Sequence, residues 1–257
     1  MTQYDDNENV MTTAINVRFI GSGDALGSGG RFQTCILLDG NTERALIDCG
    51  ASSLVAMKAL GIEPSTIGTI LITHLHGDHF GGVPFFILDA QFAKRTEPLI
   101  IAGPPQIRMR VREAMEVFYP KSSEVHQVFP IEFIELPGEV AIAIRNYQVT
   151  AFPVIHFSGA PAYALRVDFA GRTVTYSGDT EWTDTLLKAS ANVDLFICEA
   201  YFFEKKMKFH LDYQTLAKRW SELTCKRIVL THMSKDMLDR LEEVNAEVAY
   251  DGMKIEL

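Results

Sequence analysis

Residues 73–79 read Thr73-His74-Leu75-His76-Gly77-Asp78-His79 and follow directly on an apolar run at 69–72. Four side chains that can bind a metal ion therefore fall within six residues, immediately after a short strand predicted to be buried. Three imidazoles and one carboxylate suit zinc, manganese or iron, whereas calcium and magnesium prefer shells of oxygen atoms. The stretch predicts a metal site at the end of a strand.

The same turn has room for ligands of two metals. After a strand, His74 and His76 can point the same way in a tight turn, while Asp78 and His79 open the following helix and face back toward them. The alternative interpretation is a histidine-rich helix cap without any metal, but clusters of this density rarely arise by chance.

Four more residues follow apolar runs in the same way. They are His156 after 152–155, Asp179 in Ser177-Gly178-Asp179-Thr180, Glu199 after 196–198 and His232 after 228–231. Taken singly, each is more often a capping or hydrogen-bonded polar group. Together with the first cluster they indicate one shared site, because reactive groups at strand ends are held by the sheet yet open to solvent.

The rest of the chain alternates strand-like and helix-like segments. Strands are predicted at 15–20, 34–38, 45–47, 69–72, 99–102, 195–198 and 227–230, with further β-type segments from 131 to 176. Helices are predicted at 52–60, 85–94, 106–118, 182–189 and 213–223. This order favours an α/β fold (α+β in some schemes) in which two sheets pack face to face with helices outside. One domain over 1–257 is expected, with 1–12 as a flexible tail.

Composition limits the classes of partner. The net charge of −9 provides no sequence-wide positive field that would collect nucleic acid. The first ten residues lack the basic start and apolar stretch of a secretory signal, and no apolar run approaches the ~20 residues that span a bilayer. We therefore expect a cytoplasmic protein without a membrane partner. The four cysteines show no Cys-x-x-Cys pairing and are expected to be buried, reduced thiols.

In the order of these residues the sequence resembles the metallo-β-lactamase superfamily, whose His-x-His-x-Asp-His signature, later His, later Asp and final His all have matches between residues 19 and 234. The resemblance implies a four-layer αββα sandwich that holds two divalent metal ions, with zinc favoured and manganese or iron as alternatives. A hydroxide bridging the two ions is the implied nucleophile, because a bound metal lowers the pKa of water toward ~7. By position, one metal takes His74, His76 and His156, the other takes Asp78, His79 and His232, and Asp179 bridges them.

Within the superfamily the sequence is most similar to the ribonuclease Z-like branch. The similarity rests on Phe19-Ile20-Gly21-Ser22-Gly23, Arg31, Ser177-Gly178-Asp179-Thr180 and Glu199-Ala200. His210 matches a histidine that this branch places beside the metals. The likeness implies that Glu199 orients His210, and that His210 stabilises developing charge or protonates the leaving oxygen. Asp78, Glu199 and His210 are thus the candidate catalytic residues. The alternative for His210 is a surface histidine after a lysine-rich turn, and His126 is expected to be structural.

One departure from this branch concerns the substrate. Its tRNA-processing members usually carry a long tRNA-gripping arm between the third metal histidine and the bridging aspartate, and the interval from His156 to Asp179 has no room for one. Lys205, Lys206 and Lys208 are too few to replace that arm, although they could contact a phosphate. We therefore expect a small phosphodiester as the substrate and do not expect tRNA. A homodimer is common among similar proteins.

Two other classes of function stay open. The same ligand set could hydrolyse a thioester, lactone, sulfate ester or β-lactam, since it activates water without choosing the bond. Gly77 disfavours an oxygen-reducing di-iron site, where that position resembles glutamate in the relevant family. A non-catalytic metal-binding or sensor protein would need metal sites that are closed by protein ligands.

Overall fold

The computed structural model describes residues 15–40 and 43–257, so the tail predicted at 1–12 lies outside the described residues. Within them the chain forms strands, α-helices and short 3₁₀ turns. In chain order the strands and α-helices are β1 (Asn16–Gly21), β2 (Cys35–Asp39), β3 (Arg44–Ile47), α1 (Ser53–Ala59), β4 (Ile67–Leu71), α2 (Gly77–Phe80), α3 (Val83–Phe92), β5 (Leu99–Gly103), α4 (Ile107–Phe118), β6 (Ile131–Glu135), β7 (Ala141–Ile144), β8 (Tyr147–Pro153), β9 (Tyr163–Phe169), β10 (Arg172–Tyr176), α5 (Thr185–Ala189), β11 (Leu195–Glu199), α6 (Tyr213–Arg219), β12 (Ile228–Thr231), α7 (Lys235–Leu238), β13 (Glu247–Val248) and β14 (Lys254–Glu256).

In the described part of the chain the strands form two seven-stranded sheets. Their orders are β14-β1-β2-β3-β4-β5-β6 and β13-β12-β11-β10-β9-β8-β7. Neighbouring strands from β3 to β6 are parallel in the first sheet, and those from β10 to β13 are parallel in the second. The carboxyl ends of parallel strands meet at one edge of a sheet, which is where α/β proteins bind their ligands.

Apolar side chains divide the molecule into four layers. Val17 and Phe19 of β1 pack with Val149 of β8 and Ile197 of β11 in a buried layer between the sheets. The outer face of the first sheet packs against α1, α3 and α4, and that of the second packs against α5, α6 and α7. Burying both faces of each sheet gives the predicted αββα sandwich, which is confirmed.

Three helices have boundaries that differ by two or more residues from those expected. Helix α5 begins at Thr185 rather than at 182, because the chain before it is held elsewhere: the main-chain nitrogen of Glu181 donates to the carbonyl of Ile155 over 3.1 Å. Helix α3 starts two residues early, with a proline in its first turn, and the chain turns out of it at Lys94, where φ is +55°. Helix α6 ends at Arg219, and a 3₁₀ turn replaces its predicted last residues.

The interval from His156 to Asp179 contains β9, β10 and their short connections. It therefore carries no inserted arm, as the sequence indicated. Among residues 15–40 and 43–257, no helix has both the length and the apolar character needed to cross a membrane. The four cysteines are unpaired, and Cys35, Cys49 and Cys198 are buried.

Candidate metal centre

Six histidines and three acidic residues from distant parts of the chain meet where strands of both sheets end. They form three overlapping groups whose potential ligand atoms lie within 4.8 Å of one another: His74, His76 and His156; Asp78, His79, Asp179 and His232; Asp179, Glu199, His210 and His232. The structure thus brings together every residue that the sequence assigned to the metals or to catalysis. His126 lies apart from them, on an exposed loop.

The second group has the dimensions of a tetrahedral metal site. Nε2 of His79 lies 3.2 Å from Oδ2 of Asp78, 3.3 Å from Oδ1 of Asp179 and 3.3 Å from Nε2 of His232. The same nitrogen of His232 lies 3.3 Å from Asp78 and 3.5 Å from Asp179. Zinc–ligand bonds of about 2.1 Å in a regular tetrahedron separate neighbouring ligand atoms by about 3.4 Å. The four atoms therefore fit a metal ion between them.

The first group is formed by the turn after β4 and the segment after β8. Nε2 of His156 lies 3.0 Å from Nδ1 of His76, and the ring of His74 lies 4.9 Å and 4.6 Å from the rings of His76 and His156. Nε2 of His74 is buried and has no hydrogen-bond partner. A buried, unpartnered imidazole nitrogen is costly unless something binds it, and a metal ion would do so.

Asp179 stands between the two groups. Its Oδ1 atom faces His79 and His232, whereas its Oδ2 atom lies 3.9 Å from Nε2 of His74. Oδ1 is another buried atom without a hydrogen-bond partner. Gly178, which precedes Asp179, has a φ of +60°, and a Cβ there would lie 2.7 Å from the carbonyl oxygen of Tyr163. Only glycine lets the chain place Asp179 at this point.

Hydrogen bonds to the second ring nitrogen fix three of the histidines. Nδ1 of His79 donates to Asp48, Nδ1 of His156 donates to the carbonyl of Phe209 over 2.8 Å, and Nδ1 of His74 lies 3.1 Å from the hydroxyl of Thr73. These contacts leave Nε2 of each ring to face the centre. Such contacts orient a ligating imidazole and set its tautomer.

Sequence reasoning missed Asp48. It follows the buried strand β3 and has a φ of +59°, a conformation in which aspartate is several-fold enriched over most residues. Its Oδ1 accepts from the main-chain nitrogen of Thr73 over 2.8 Å, and its Oδ2 accepts from Nδ1 of His79 over 2.7 Å. The sequence does contain a signal for Asp48, because this aspartate directly follows the apolar run at 45–47. However, no histidine lies near it in the sequence.

His210 is held beside the metal groups. Nδ1 of His210 hydrogen-bonds to Oε1 of Glu199, while Oε2 of Glu199 accepts from the main-chain nitrogens of Thr180 and Leu211 over 2.9 Å and 3.1 Å. The ring of Tyr201 stacks on His210, with centroids 4.5 Å apart and planes 28° apart. His210 therefore has a fixed orientation and is not a loosely held surface residue.

Buried carboxylates give the centre a negative potential. Burial opposes a charge on His232, but Asp179 and the hydrogen bond to Asp78 outweigh it and raise the pKa of His232 to about 9. Burial also opposes a charge on His210, yet Glu199 and Asp179 raise its pKa above the ordinary value. The carboxylates that favour a proton on His232 also attract cations, and binding of a metal ion by His232 would release that proton.

The centre reaches solvent on one side. His76, His156 and His210 are partly exposed there, and a cavity of about 360 Å³ beside His210 is lined by side chains that include Trp182 and Lys208. The rings of Phe157 and Phe209 lie 6.4 Å apart near His156, and the two residues are 72% and 38% exposed. A small molecule can therefore approach His210, and the partly exposed His76 and His156 leave the first metal group in contact with solvent.

The chain is similar to known proteins in both sequence and structure. A family model described as anti-Pycsar protein Apyc1 matches residues 15–249. Ribonuclease Z from Agathobacter rectalis is 27% identical, over 95% of this chain and 98% of the relative. That alignment spans 303 positions, more than the 257 residues of this chain, so the relative carries inserted residues that this chain lacks.

Two solved structures are similar along their length. Human tRNase Z, short form, superposes with a TM-score of 0.76 at 27% identity, over 93% of this chain and 98% of that protein. The metallo-β-lactamase fold protein YhfI from Bacillus subtilis has a TM-score of 0.78 at 18% identity, over 95% and 99%, and so speaks for the fold alone. These matches confirm the predicted metallo-β-lactamase-like fold and the ribonuclease Z-like resemblance. The names of the relatives give no support to the prediction against tRNA.

Proposed function

The chain belongs to the anti-Pycsar protein Apyc1 family, and from this premise and the geometry of the metal centre we propose that it hydrolyses a small phosphodiester with two bound metal ions. Its ribonuclease Z-like relatives and its His/Asp clusters make it a metal-dependent hydrolase. The number of metals, their identity as zinc and the substrate are parts of the proposal.

The observation that carries the proposal is the position of His210. Its ring lies 5.2 Å from that of His156 and 6.1 Å from that of His232, and so it stands beside both groups of ligands. Its Nδ1 is bound by Glu199, and its Nε2 is therefore the nitrogen that can carry a proton to a bound substrate. Hydrolysis of a phosphodiester needs such a proton because an alkoxide or phenoxide is a poor leaving group.

The metals would be held by the residues assigned from sequence. His74, His76 and His156 would bind one ion, Asp78, His79 and His232 would bind the other, and Asp179 would contribute one oxygen to each. When bound, divalent metals lower the pKa of water and neutralise charge on phosphoryl oxygens. They also offset the buried carboxylates, which would otherwise repel an anionic substrate.

The protein's own groups fix the geometry for catalysis. Asp48, Thr73 and the carbonyl of Phe209 hold the ring nitrogens that point away from the centre. Glu199 favours the protonated form of His210, and Tyr201 limits rotation of its ring. General acid catalysis by a side chain that is oriented before the substrate binds typically increases the rate by about 10²–10⁴-fold.

A small substrate fits the surroundings better than tRNA. The described chain between His156 and Asp179 contains no arm, and the net charge is −9. Strong binding of a folded RNA normally requires many phosphate contacts from basic side chains. We therefore keep tRNA outside the proposed substrates, although relatives are named ribonuclease Z.

A sensor or purely structural metal protein is a weaker interpretation. Such a protein needs no acid beside its metals and no opening to solvent, whereas His76, His156 and His210 are all partly exposed to solvent. Hydrolysis of a thioester, lactone, sulfate ester or β-lactam is distinguished from phosphodiester hydrolysis by assaying each substrate.

The test begins with metal analysis of protein purified without added metal. The metal-loaded protein is then offered bis(p-nitrophenyl) phosphate, a cyclic phosphodiester, a precursor tRNA, a thioester, a lactone, an aryl sulfate and a β-lactam. We expect about two equivalents of metal, turnover of a phosphodiester, and loss of that turnover after chelation. Turnover of the thioester or lactone with no phosphodiester cleaved would contradict the proposal, and so would cleavage of the precursor tRNA alone.

A further inference from the structure

Glu181 lies two residues after Asp179 and belongs to none of the groups of potential metal ligands among the described residues. Its Oε1 atom accepts a hydrogen bond from the main-chain nitrogen of Phe209 over 2.8 Å. Its own main-chain nitrogen donates to the carbonyl of Ile155 over 3.1 Å. Glu181 thus joins the residue before His156 to the residue before His210.

Phe209 occupies a backbone conformation that needs support. Its φ is +72°, in the left-handed region that a bulky residue seldom adopts without external contacts. Its amide is bound by Glu181, and its carbonyl accepts from Nδ1 of His156 over 2.8 Å. The backbone of Phe209 therefore donates a hydrogen bond to Glu181 through its amide and accepts one from the metal-facing His156 through its carbonyl.

The two contacts have consequences for both halves of the site. The carbonyl of Phe209 accepts a hydrogen bond from Nδ1–H of His156. Nε2 of the same ring is therefore turned to the centre, where it lies 3.0 Å from Nδ1 of His76. His210 follows Phe209 directly, and its reach to Glu199 depends on the path of the same segment. If Phe209 relaxed to a negative φ, its carbonyl would turn away from His156 and the backbone of His210 would move.

We propose that Glu181 is a positioning residue that fixes the metal-facing tautomer of His156 and the placement of His210 through Phe209. The inference rests on the proposed function for the role of His210, while the contact to His156 concerns metal binding alone. Partners that orient a metal-ligating histidine in this way typically change metal affinity or activity about 10- to 100-fold when they are lost.

Two variants distinguish the role of Glu181 as a hydrogen-bond acceptor from the role of its negative charge. Glu181→Ala removes the acceptor, whereas Glu181→Gln keeps an amide oxygen that can accept from the same main-chain nitrogen. Glu113→Ala is the matched control, because Glu113 is exposed on α4 and pairs only with Arg110 among the described residues. Three quantities are measured: amide hydrogen exchange over residues 205–212 of the metal-free protein, metal affinity by competition with a chelator, and kcat and KM for an aryl phosphodiester.

We expect Glu181→Ala to increase the rate of amide hydrogen exchange in residues 205–212 and to lower the affinity for one of the two metal ions. The same variant should lower kcat about 10- to 100-fold, while KM stays within about threefold of the wild-type value. Glu181→Gln and Glu113→Ala should stay within about threefold of the wild type in all three. Equal damage from Ala and Gln at position 181 would overturn the proposal, because it would assign the effect to charge. A loss of stability with unchanged metal affinity and kcat would also overturn it.

The outcomes distinguish this inference from the proposed function. If the wild type cleaves no phosphodiester, the proposed function fails, whereas exchange and metal affinity still decide whether Glu181 orients Phe209 and His156. If the wild type is active and Glu181→Ala matches it in exchange and metal affinity, the positioning role fails and the proposed function stands.

Discussion

Asp48 and His79 form a buried carboxylate–imidazole pair in which Oδ2 and Nδ1 lie 2.7 Å apart, and neither side chain is exposed to solvent. Because Asp48 accepts a hydrogen bond from Nδ1–H of His79, Nε2 of His79 is the nitrogen that faces Asp78 and Asp179. The pair therefore selects the tautomer that can bind a metal, and it ties the end of β3 to the turn after β4.

Replacing Asp48 by asparagine should weaken metal binding without unfolding the protein. The amide oxygen can still accept from the main-chain nitrogen of Thr73, but the amide nitrogen would face Nδ1 of His79 and favour a proton on Nε2. We expect about a 10- to 100-fold loss in affinity for one metal equivalent, measured by competition with a chelator. Asp39→Asn is the control, since Asp39 pairs with Arg44 away from the centre. Unchanged affinity in Asp48→Asn would contradict the assigned role.

Asp179 is expected to serve both metals. Asp179→Ala removes the oxygen near His74 and the one near His79 and His232, so the second metal should be lost and turnover should disappear. Metal content by elemental analysis and kcat on the best phosphodiester measure the two effects. Asp239→Ala, at an exposed pair with Lys235, is the matched control. Full metal content in Asp179→Ala would refute a bridging position.

Most of this site could be predicted from the sequence because its ligands lie in segments that directly follow buried strands. The turn from His74 to His79 and the later Asp179 and His232 each follow a buried apolar run, and parallel strands bring such positions to one edge. Asp48 obeys the same rule but has no histidine beside it in the chain. Position alone could therefore suggest Asp48, but its partner His79 becomes visible only in the folded protein.

Glu181 and the start of α5 show where local patterns fail. The segment 182–189 has helical spacing, yet its first three residues remain outside the helix because Glu181 is bound to Ile155 and Phe209. Both partners are distant in sequence, and neither is polar in its side chain. Ile155 and Phe209 make these contacts through backbone atoms, and a pattern of side-chain types does not report them.

Metal removal should lower the thermal stability. A ligand at 100 times its dissociation constant stabilises the folded state by about 2.7 kcal/mol per site, and for a chain of this size 1 kcal/mol corresponds to roughly 2–4 °C. We expect the unfolding temperature to fall by about 5–10 °C for each site emptied by a chelator, followed by circular dichroism. The same treatment should have a smaller effect on Asp179→Ala. Equal unfolding temperatures with and without saturating metal would argue against the proposed sites.

Loss of His210 should lower kcat more for a substrate whose leaving group needs a proton than for one whose leaving group does not. A nitrophenolate departs without a proton because the nitro group stabilises its charge, whereas a phenolate or alkoxide gains much more from an acid. His210→Ala should therefore lower kcat about 100-fold or more for diphenyl phosphate and clearly less for bis(p-nitrophenyl) phosphate, with metal content unchanged. His126→Ala is the control, since His126 lies on an exposed loop away from the centre. Equal losses on both substrates would show that His210 does not act as the acid, and a loss of metal would place it among the ligands instead.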